Sequence, residues 1–182
     1  RKDVSTDGRH ANVEYTENWK QDSERRDFTI NAIYLDQKGK FFDPQDGLND
    51  LKNNKVRFIG NPNSRIKEDY LRILRFLRFS IQYKNFDISQ ETQKAIRINL
   101  NGIKNLSKER VFSELKKIVE LKNFYDLSKN EFLFNIFKLI FPEFLYLNRL
   151  KKLEKISKKI SFIPNSEIIF TVMLLDSSNN HK

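Results

Sequence analysis

The chain has 182 residues, with 34 lysines and arginines against 24 aspartates and glutamates, which gives a formal net charge of +10. Hydrophobic residues make up 38% and phenylalanine alone counts 16, so a chain that is disordered throughout is excluded. Cysteine is absent and the only histidines are His10 and His181, which excludes disulfides, thiolate nucleophiles and histidine-rich zinc sites. No apolar run reaches about 18 residues, so no membrane span is expected. The basic excess favours a polyanionic partner, such as a nucleic acid or a nucleotide.

The first 60 residues show short β-like runs separated by turn signals. Residues 12–16 alternate weakly, and residues 28–36 (FTINAIYLD) predict a strand that is covered on both faces. Residues 37–40 (QKGK) are typical of a hairpin turn that is followed by a short return strand. Residues 56–59 predict one more strand, so this part of the chain is expected to be β-rich.

From about residue 65 the apolar pattern becomes helical. Five apolar residues recur at the helical spacings of three and four: Ile66, Tyr70, Ile73, Leu74 and Leu77. Ser89 and Ser107 are predicted to cap two further helices. Residues 131–160 predict more helix with an interruption near Pro142. The fold class is therefore α+β, with a small β-rich piece before a helical majority.

The densest group of chemistry-bearing residues lies in residues 67–78 (KEDYLRILRFLR). Four charged residues there are spaced three apart: Asp69, Arg72, Arg75 and Arg78. On one helix this spacing forms a slanting ridge, and guanidiniums on a ridge suit phosphate oxygens. Asp69 beside Arg72 offers an acceptor and a donor, which suits reading a base edge. Periodicity leaves open the alternative of a solvated helix face with an ion pair between Glu68 and Arg72.

Two other segments are candidates for binding. Arg25, Arg26 and Asp27 stand at the entrance of the predicted strand with Asn31 shortly after, which is either the lip of a ligand site or a charged strand end. Residues 149–159 (RLKKLEKISKK) predict an amphipathic helix with an apolar seam of Leu150, Leu153, Ile156 and Ile160. Its lysine face suits a nucleic-acid backbone or an anionic membrane, and a solvated face on a core helix is the alternative.

Several segments in order resemble the class II tRNA nucleotidyltransferases, or CCA-adding enzymes, whose superfamily includes bacterial poly(A) polymerases. The matching segments share their order with the family: residues 3–11 (DVSTDGRHA) resemble motif C, 25–32 (RRDFTINA) motif B, 43–52 and 56–60 the segment after it, 65–79 (RIKEDYLRILRFLRF) motif D, and 107–118 (SKERVFSELKKI) motif E. One motif would be a weak signal, but five in order are specific. The resemblance covers roughly residues 1–120.

The resemblance implies a division into three parts. Residues 1–62 would be the C-terminal part of the nucleotidyltransferase head or palm domain, residues 63–122 a helical neck that binds RNA and nucleotide, and residues 123–182 a helical body segment. It also implies that Asp69 and Arg72 act as a protein template, which pairs with the base edge of incoming CTP or ATP. The implied nucleotide-binding residues are Arg26, Asp27, Asn31, Asp69, Arg72, Arg75 and Arg78.

The resemblance implies supporting roles for two further groups of residues. The motif C loop, with Asp3, Asp7, Gly8 and Arg9, would help the enzyme switch from adding C to adding A. His10, beside that loop, is interpreted as a surface histidine. Motif E would be structural, through Glu109, Arg110 and Glu114.

One departure from the family pattern concerns catalysis. Family catalysis uses motif A, in which a Gly-Gly turn precedes an Asp-x-Asp pair that holds two Mg²⁺ ions. This sequence contains neither, and its nearest spacing, Asp22-Ser23-Glu24, stands just before motif B, where the family keeps no metal ligands. We therefore expect the Mg²⁺ ligands upstream of residue 1, and no catalytic or metal-binding residue among these 182. The isolated chain is expected to be inactive.

The leading hypothesis is a part of a cytoplasmic CCA-adding enzyme, which adds CMP and then AMP to the acceptor end of tRNA. A poly(A) polymerase or an A-adding enzyme of the same family is a close alternative. A second alternative is a non-catalytic RNA- or nucleotide-binding subunit that pairs with a separately encoded motif A segment. A membrane-surface role for residues 149–159 is a weaker alternative, and no membrane partner is expected.

Overall fold

The strands form two small antiparallel pairs in the computed structural model, which describes residues 2–6, 11–14 and 18–175. Strand β1 (Lys2–Thr6) pairs with β2 (Ala11–Glu14), with Asp3 opposite Val13. Strand β3 (Tyr34–Leu35) pairs with β4 (Phe41–Phe42). The expectations for Asp7, Gly8, Arg9 and His10 concern residues that lie outside the described ranges.

The second pair confirms the predicted hairpin at residues 37–40. The Asp36 N–H donates to the Lys40 carbonyl oxygen at 3.0 Å, and the Asp36 carboxylate accepts from the Lys38 and Lys40 N–H groups at 2.8 Å each. Gly39 has a φ of +79°, a left-handed conformation that suits a residue without a side chain. The local turn chemistry is therefore enough to specify this hairpin.

The predicted strand at residues 28–36 is largely wrong. Phe28 makes a single antiparallel bridge to Phe58, Thr29–Asn31 is a 3₁₀ turn, and Leu35 is 58% exposed rather than covered. The Thr29 hydroxyl donates to the Asp50 carboxylate at 2.6 Å. This side-chain hydrogen bond stabilises the turn Thr29–Asn31 in place of an extended strand. The predicted strand at 56–59 is reduced to the same bridge, because Phe58 pairs only with Phe28.

Helices account for most of the described chain. They run in this order: α1 (Trp19–Glu24), α2 (Gly47–Lys52), α3 (Pro62–Glu68), α4 (Leu71–Gln82), α5 (Gln90–Asn99), α6 (Lys108–Val119), α7 (Glu131–Ile140), α8 (Leu150–Lys159) and α9 (Ser166–Leu174). Further 3₁₀ turns span Leu100–Asn105, Phe124–Lys129 and Leu147–Arg149. The predicted caps are confirmed, because Ser89 accepts from the Thr92 N–H at 3.3 Å and Ser107 accepts from the Arg110 N–H at 3.4 Å. The interruption near Pro142 is also confirmed, since α7 ends at Ile140.

The prediction of one continuous helical ridge through residues 69–78 is wrong at its first member. Helix α3 ends at Glu68, and Asp69 is extended, with φ −157° and ψ 108°. The Asp69 carboxylate accepts from the Leu71 N–H at 3.1 Å and so helps to start α4. Asp69 therefore occupies the break between two helices, and only the three arginines are on α4.

One hydrophobic core runs from the N-terminal part to the last helix. Phe28 packs on Phe58, Phe76 and Phe79, with ring centroids 4.8 to 6.1 Å apart. A second group of rings surrounds Phe137, and both groups belong to one buried cluster that reaches Met173. Helix α4 is central to this cluster, because Ile73, Leu74, Phe76 and Leu77 are all buried.

One detail of the packing, the contact between Gly102 and Tyr70, matters for the site. A Cβ placed on Gly102 would lie 2.2 Å from the Tyr70 ring, so Tyr70 packs directly on this glycine beside the break at Asp69.

The predicted seam of α8 is only half right, because Leu150 is buried whereas Ile156 and Ile160 are about 60% exposed. No helix of the described residues is long and apolar enough to cross a membrane.

Candidate nucleotide site

A polar cleft of about 460 Å³ lies between residues 25–31 of the N-terminal part (residues 18–60) and residues 69–75 at the start of α4. Seven residues line it: Arg25, Arg26, Asp27, Asn31, Asp69, Arg72 and Arg75. Six of them are residues that the resemblance assigns to nucleotide binding. Four arginines against two aspartates leave the lining with a formal charge of +2, so the cleft attracts an anion.

Asp27 anchors the floor of the cleft. The residue is 8% exposed, and its carboxylate accepts from Arg75 Nε at 2.5 Å, from Asn31 Nδ2 at 2.8 Å and from the Phe28 N–H at 3.0 Å. Burial alone would raise the pKa of the Asp27 carboxyl, but the hydrogen bonds from Arg75 and Asn31 outweigh it and hold the pKa below its usual value. Asp27 is therefore ionised at neutral pH and fixes Arg75 in place.

A second carboxylate, Asp22 on α1, holds the two arginines at the rim. Arg26 Nη2 donates to Asp22 Oδ2 at 2.9 Å and the Tyr34 hydroxyl donates to the same oxygen at 2.8 Å, while Arg25 donates to Oδ1. Burial opposes ionisation, but the hydrogen bonds from Tyr34, Arg26 and Arg25 lower the pKa of Asp22 far below its usual value. The same ion pair raises the pKa of Arg26 against the opposing effect of burial. Both guanidiniums are thus held on the same carboxylate at the rim of the cleft.

Arg72 lines the cleft from the first turn of α4. Its Nη1 atom donates to the Arg65 carbonyl oxygen at 2.7 Å and to Glu68 Oε2 at 2.6 Å. Arg65 also pairs with Glu68 at 2.7 Å and donates to the Arg26 carbonyl oxygen, so α3 is connected to the N-terminal part. The hydrogen bond from Arg72 is the chief cause that lowers the pKa of Glu68 against its partial burial.

Asp69 faces the cleft from the break between α3 and α4. Its Oδ2 atom accepts from Arg110 Nη2 on α6 at 2.8 Å. The Arg72 N–H donates to the Asp69 carbonyl oxygen at 3.1 Å, but among the described residues no hydrogen bond joins their side chains, because each side chain has its own partners. The acceptor and the donor that the sequence predicts are therefore in the same cleft but are not paired with each other.

Arg78 is the predicted nucleotide ligand that does not line the cleft. Its guanidinium pairs with Glu114 of α6, whose side chain is only 2% exposed, and lies 4.1 Å from the centroid of the Phe79 ring. Of the other predicted motif E residues, Glu109 is exposed and Arg110 contacts Asp69. Among the described residues, two ion pairs therefore join motif E to motif D, one on the surface and one in the interior.

Asp22 anchors two arginines of the cleft but is not among the predicted site residues. Glu68 enters the sequence analysis only as the partner of Arg72 in the alternative of a solvated helix face, and that ion pair is present at 2.6 Å. The spacing could have indicated Asp22 in the same way, because Asp22 precedes Arg25 and Arg26 by three and four residues, as Glu68 precedes Arg72 by four. Arg25 was noticed in the same segment but not assigned to the site. In the described ranges, no three acidic or histidine side chains come together as a metal site, so these residues do not fit a Mg²⁺ centre.

Two family models match the chain in the order that the motifs predict. The model of the poly A polymerase head domain matches residues 1–57. The model described as a probable RNA and SrmB-binding site of polymerase A matches residues 85–147. The chain belongs to the poly(A) polymerase and tRNA nucleotidyltransferase family. The cleft lies at the junction of these two family regions, since Asp27 is in the first and Asp69 is between them.

Individual members of the family are similar over much of this chain. The human CCA tRNA nucleotidyltransferase 1, mitochondrial, is 53% identical over 119 residues, which are 64% of this chain and 27% of the human protein. A tRNA-processing enzyme in an apo form is similar in structure with a TM-score of 0.71 and 27% identity, over 86% of this chain and 48% of that chain. The Bacillus stearothermophilus CCA-adding enzyme in complex with CTP has a TM-score of 0.58 and 29% identity, over 65% and 31% of the two chains. The chain thus spans about a quarter of the length of the curated relatives it matches.

Proposed function

We propose that the cleft binds the incoming CTP or ATP of a template-independent tRNA nucleotidyltransferase and selects its base. The observation that carries the proposal is that Asp69 and Arg72 line the same cleft. They present a carboxylate and a guanidinium to it, and these two side chains do not pair with each other. Cytosine and adenine both present an exocyclic amine beside an unprotonated ring nitrogen. A carboxylate accepts from the amine and a guanidinium donates to the ring nitrogen, so one pair of side chains serves both bases.

The remaining arginines of the cleft suit the triphosphate. Arg25 and Arg26 are held at the rim by Asp22, and Arg75 is held at the floor by Asp27. Charged guanidiniums whose orientation is fixed before binding lose little entropy when they contact phosphate oxygens. In this proposal Asp27 and Asn31 act by holding Arg75 and the 3₁₀ turn Thr29–Asn31, and they border the space for the sugar.

The activity proposed for the whole protein follows from its relatives. CCA-adding enzymes transfer CMP and AMP to the 3′ end of tRNA, and the human relative is named for that substrate. The lysine face of α8 is proposed to follow the RNA backbone by charge, because Lys151, Lys152 and Lys155 are all exposed. A requirement for Mg²⁺ and a cytoplasmic location stay predictions. The described residues provide no cluster of acidic or histidine side chains that could hold a metal ion.

The test is calorimetric titration of the 182-residue chain with CTP, ATP, GTP and UTP. We expect CTP and ATP to bind and GTP and UTP to bind at least about tenfold more weakly, because both would place a carbonyl oxygen against Asp69. Arg72→Ala should remove most of the affinity for CTP and ATP. Arg97→Ala is the matched control, because Arg97 is an exposed arginine of α5 that lies outside the cleft.

Each pattern of binding has a distinct meaning. Binding of CTP and ATP that Arg72→Ala abolishes supports the proposal. Binding of ATP alone would favour a poly(A) polymerase or an A-adding enzyme. Equal binding of all four nucleotides, or of none, would overturn base selection by Asp69 and Arg72.

A further inference from the structure

Asp69 is held at both of its carboxylate oxygens. Oδ1 accepts from the Leu71 N–H at 3.1 Å, and Oδ2 accepts from Arg110 Nη2 at 2.8 Å. A carboxylate has about four acceptor positions, so positions remain for a ligand after these two contacts. Because one contact comes from the backbone and the other from a different helix, the plane of the carboxylate is fixed before any ligand arrives.

The contact with Arg110 contributes little to the stability of the fold. Its two side chains are 49% and 32% exposed, and ion pairs between exposed side chains contribute little to stability. Helix α6 is already attached to α4 through the buried pair of Glu114 and Arg78 and through Leu115 and Ile118 in the core. The effect of Arg110 is therefore expected at the cleft rather than on folding.

Without Arg110, Asp69 would have a different cationic neighbour. Arg72 lines the same cleft and is the nearest arginine to Asp69 in sequence. A carboxylate that loses one guanidinium partner gains from pairing with another within reach. An Asp69–Arg72 pair would use the acceptor and the donor on each other and leave neither for a base edge.

We propose that Arg110 is a positioning residue for base selection, which keeps the Asp69 carboxylate directed into the cleft and apart from Arg72. This inference rests on the proposed function of the cleft. It divides motif E into two roles. Glu114 holds the helices together from the interior, and Arg110 acts through Asp69 on the choice of nucleotide.

The experiment compares the affinities of CTP and UTP in variants of the full chain. Arg110→Ala is expected to lower the ratio of CTP affinity to UTP affinity by about tenfold, the factor that corresponds to ~1.4 kcal/mol. Arg110→Lys keeps the charge without the planar fork and is expected to restore part of the ratio. Lys116→Ala is the matched control, because it removes one positive charge from the exposed face of the same helix away from Asp69. The thermal midpoint of Arg110→Ala should stay close to that of the wild type.

The outcomes separate this inference from the proposed function. A wild-type ratio retained in Arg110→Ala overturns the inference and leaves the proposed function standing. A loss of equal size in Lys116→Ala also overturns it, because the effect would then be one of general charge. Failure of the wild-type chain to bind CTP in preference to UTP overturns both. A ratio that falls in Arg110→Ala and stays unchanged in Lys116→Ala supports the inference.

Discussion

At the scale of single residues, Asp27 is the more buried of the two carboxylates that line the cleft, and it is ionised because of its partners. A buried charge is stable only where hydrogen bonds replace the water that it has lost. Asp27 has three such bonds, from Arg75, Asn31 and the Phe28 backbone. One carboxylate thus positions the arginine at the floor and the turn beside it.

The lowered pKa of Asp27 predicts a dependence of stability on pH. A carboxyl whose pKa is lower in the folded state stabilises the fold above its unfolded pKa of about 4, and this contribution is lost as the pH falls through the folded pKa. Asp27→Asn removes the contribution, so its free energy of unfolding should be roughly 1–3 kcal/mol below that of the wild type at pH 7. Urea denaturation followed by circular dichroism measures the difference.

The same comparison at pH 3 is the check on this explanation. Asp22 and Glu68 also have lowered pKa values, so both proteins should lose stability in acid. The gap between wild type and Asp27→Asn should nevertheless narrow, because below a pH of about 4 the Asp27 carboxyl of the unfolded chain takes up a proton and the folded state begins to lose its advantage. A gap that stays equal at both values of pH would show that Asp27 acts by packing rather than by charge.

Sequence reasoning identified most of the residues of the cleft but few of the contacts between them. Arg26, Asp27 and Asn31 were recognised because the motif keeps them within seven positions, and Asp69, Arg72 and Arg75 because they are spaced three apart. Arg78 is predicted to bind nucleotide together with Arg72 and Arg75, yet it does not line the cleft, and its assignment stays a prediction. Its spacing matches that of Arg72 and Arg75, yet its guanidinium contacts Glu114, and periodicity carries no information about which distant helix a residue meets.

At the scale of elements, the pair of Arg78 and Glu114 holds α4 and α6 together. Glu114→Ala would leave a mostly buried guanidinium without its partner, which costs about 3–5 kcal/mol of unfolding free energy. Glu120→Ala, on the exposed face at the end of the same helix, should change stability by less than about 0.5 kcal/mol. Thermal denaturation of the two variants measures both effects.

A double variant tests whether the loss comes from the charge left behind. Replacing both partners by methionine, as Arg78→Met with Glu114→Met, should recover most of the lost stability, because apolar side chains of similar volume need no partner. If the double variant were less stable than Glu114→Ala alone, Arg78 would have to contribute through contacts other than its pair with Glu114.

Among the elements, helices with a cap and a regular stripe were predictable, and strands without a partner were not. Ser89, Ser107 and the hairpin at residues 37–40 behave as their local chemistry dictates. The prediction of a strand at residues 28–36 is wrong because the alternation of apolar residues carries no information about which other segments pack against them. Thr29 donates a hydrogen bond to Asp50 on α2 instead. Helix α2 itself was not predicted, because residues 43–47 (DPQDG) show turn chemistry and conceal the helix that follows.

At the scale of the whole molecule, the described chain has one continuous core, and Phe28 connects the N-terminal part to it. Phe28→Ala should lower the free energy of unfolding by about 3–5 kcal/mol, because the ring is fully buried against three others. Phe41→Ala, at a ring that is 56% exposed, should cost less than about 1 kcal/mol.

The same variants show whether the two parts unfold together. The single tryptophan, Trp19, stacks on Tyr34 and reports on the N-terminal part, whereas circular dichroism reports on the helices. Because the core is continuous, fluorescence and circular dichroism should give the same urea midpoint as each other within each protein, both in the wild type and, at a lower urea concentration, in Phe28→Ala. Two separated transitions would contradict a single cooperative unit.

The contact between Gly102 and Tyr70 limits how this protein can be altered by evolution or by design. The Cβ atom of any other amino acid at position 102 would overlap the Tyr70 ring, and Tyr70 directly follows Asp69 in the chain. A library randomised at codon 102 and selected for binding of CTP should therefore return glycine almost alone. A nonpolar position outside the cleft would then be as intolerant of substitution as the side chains that are proposed to contact the nucleotide.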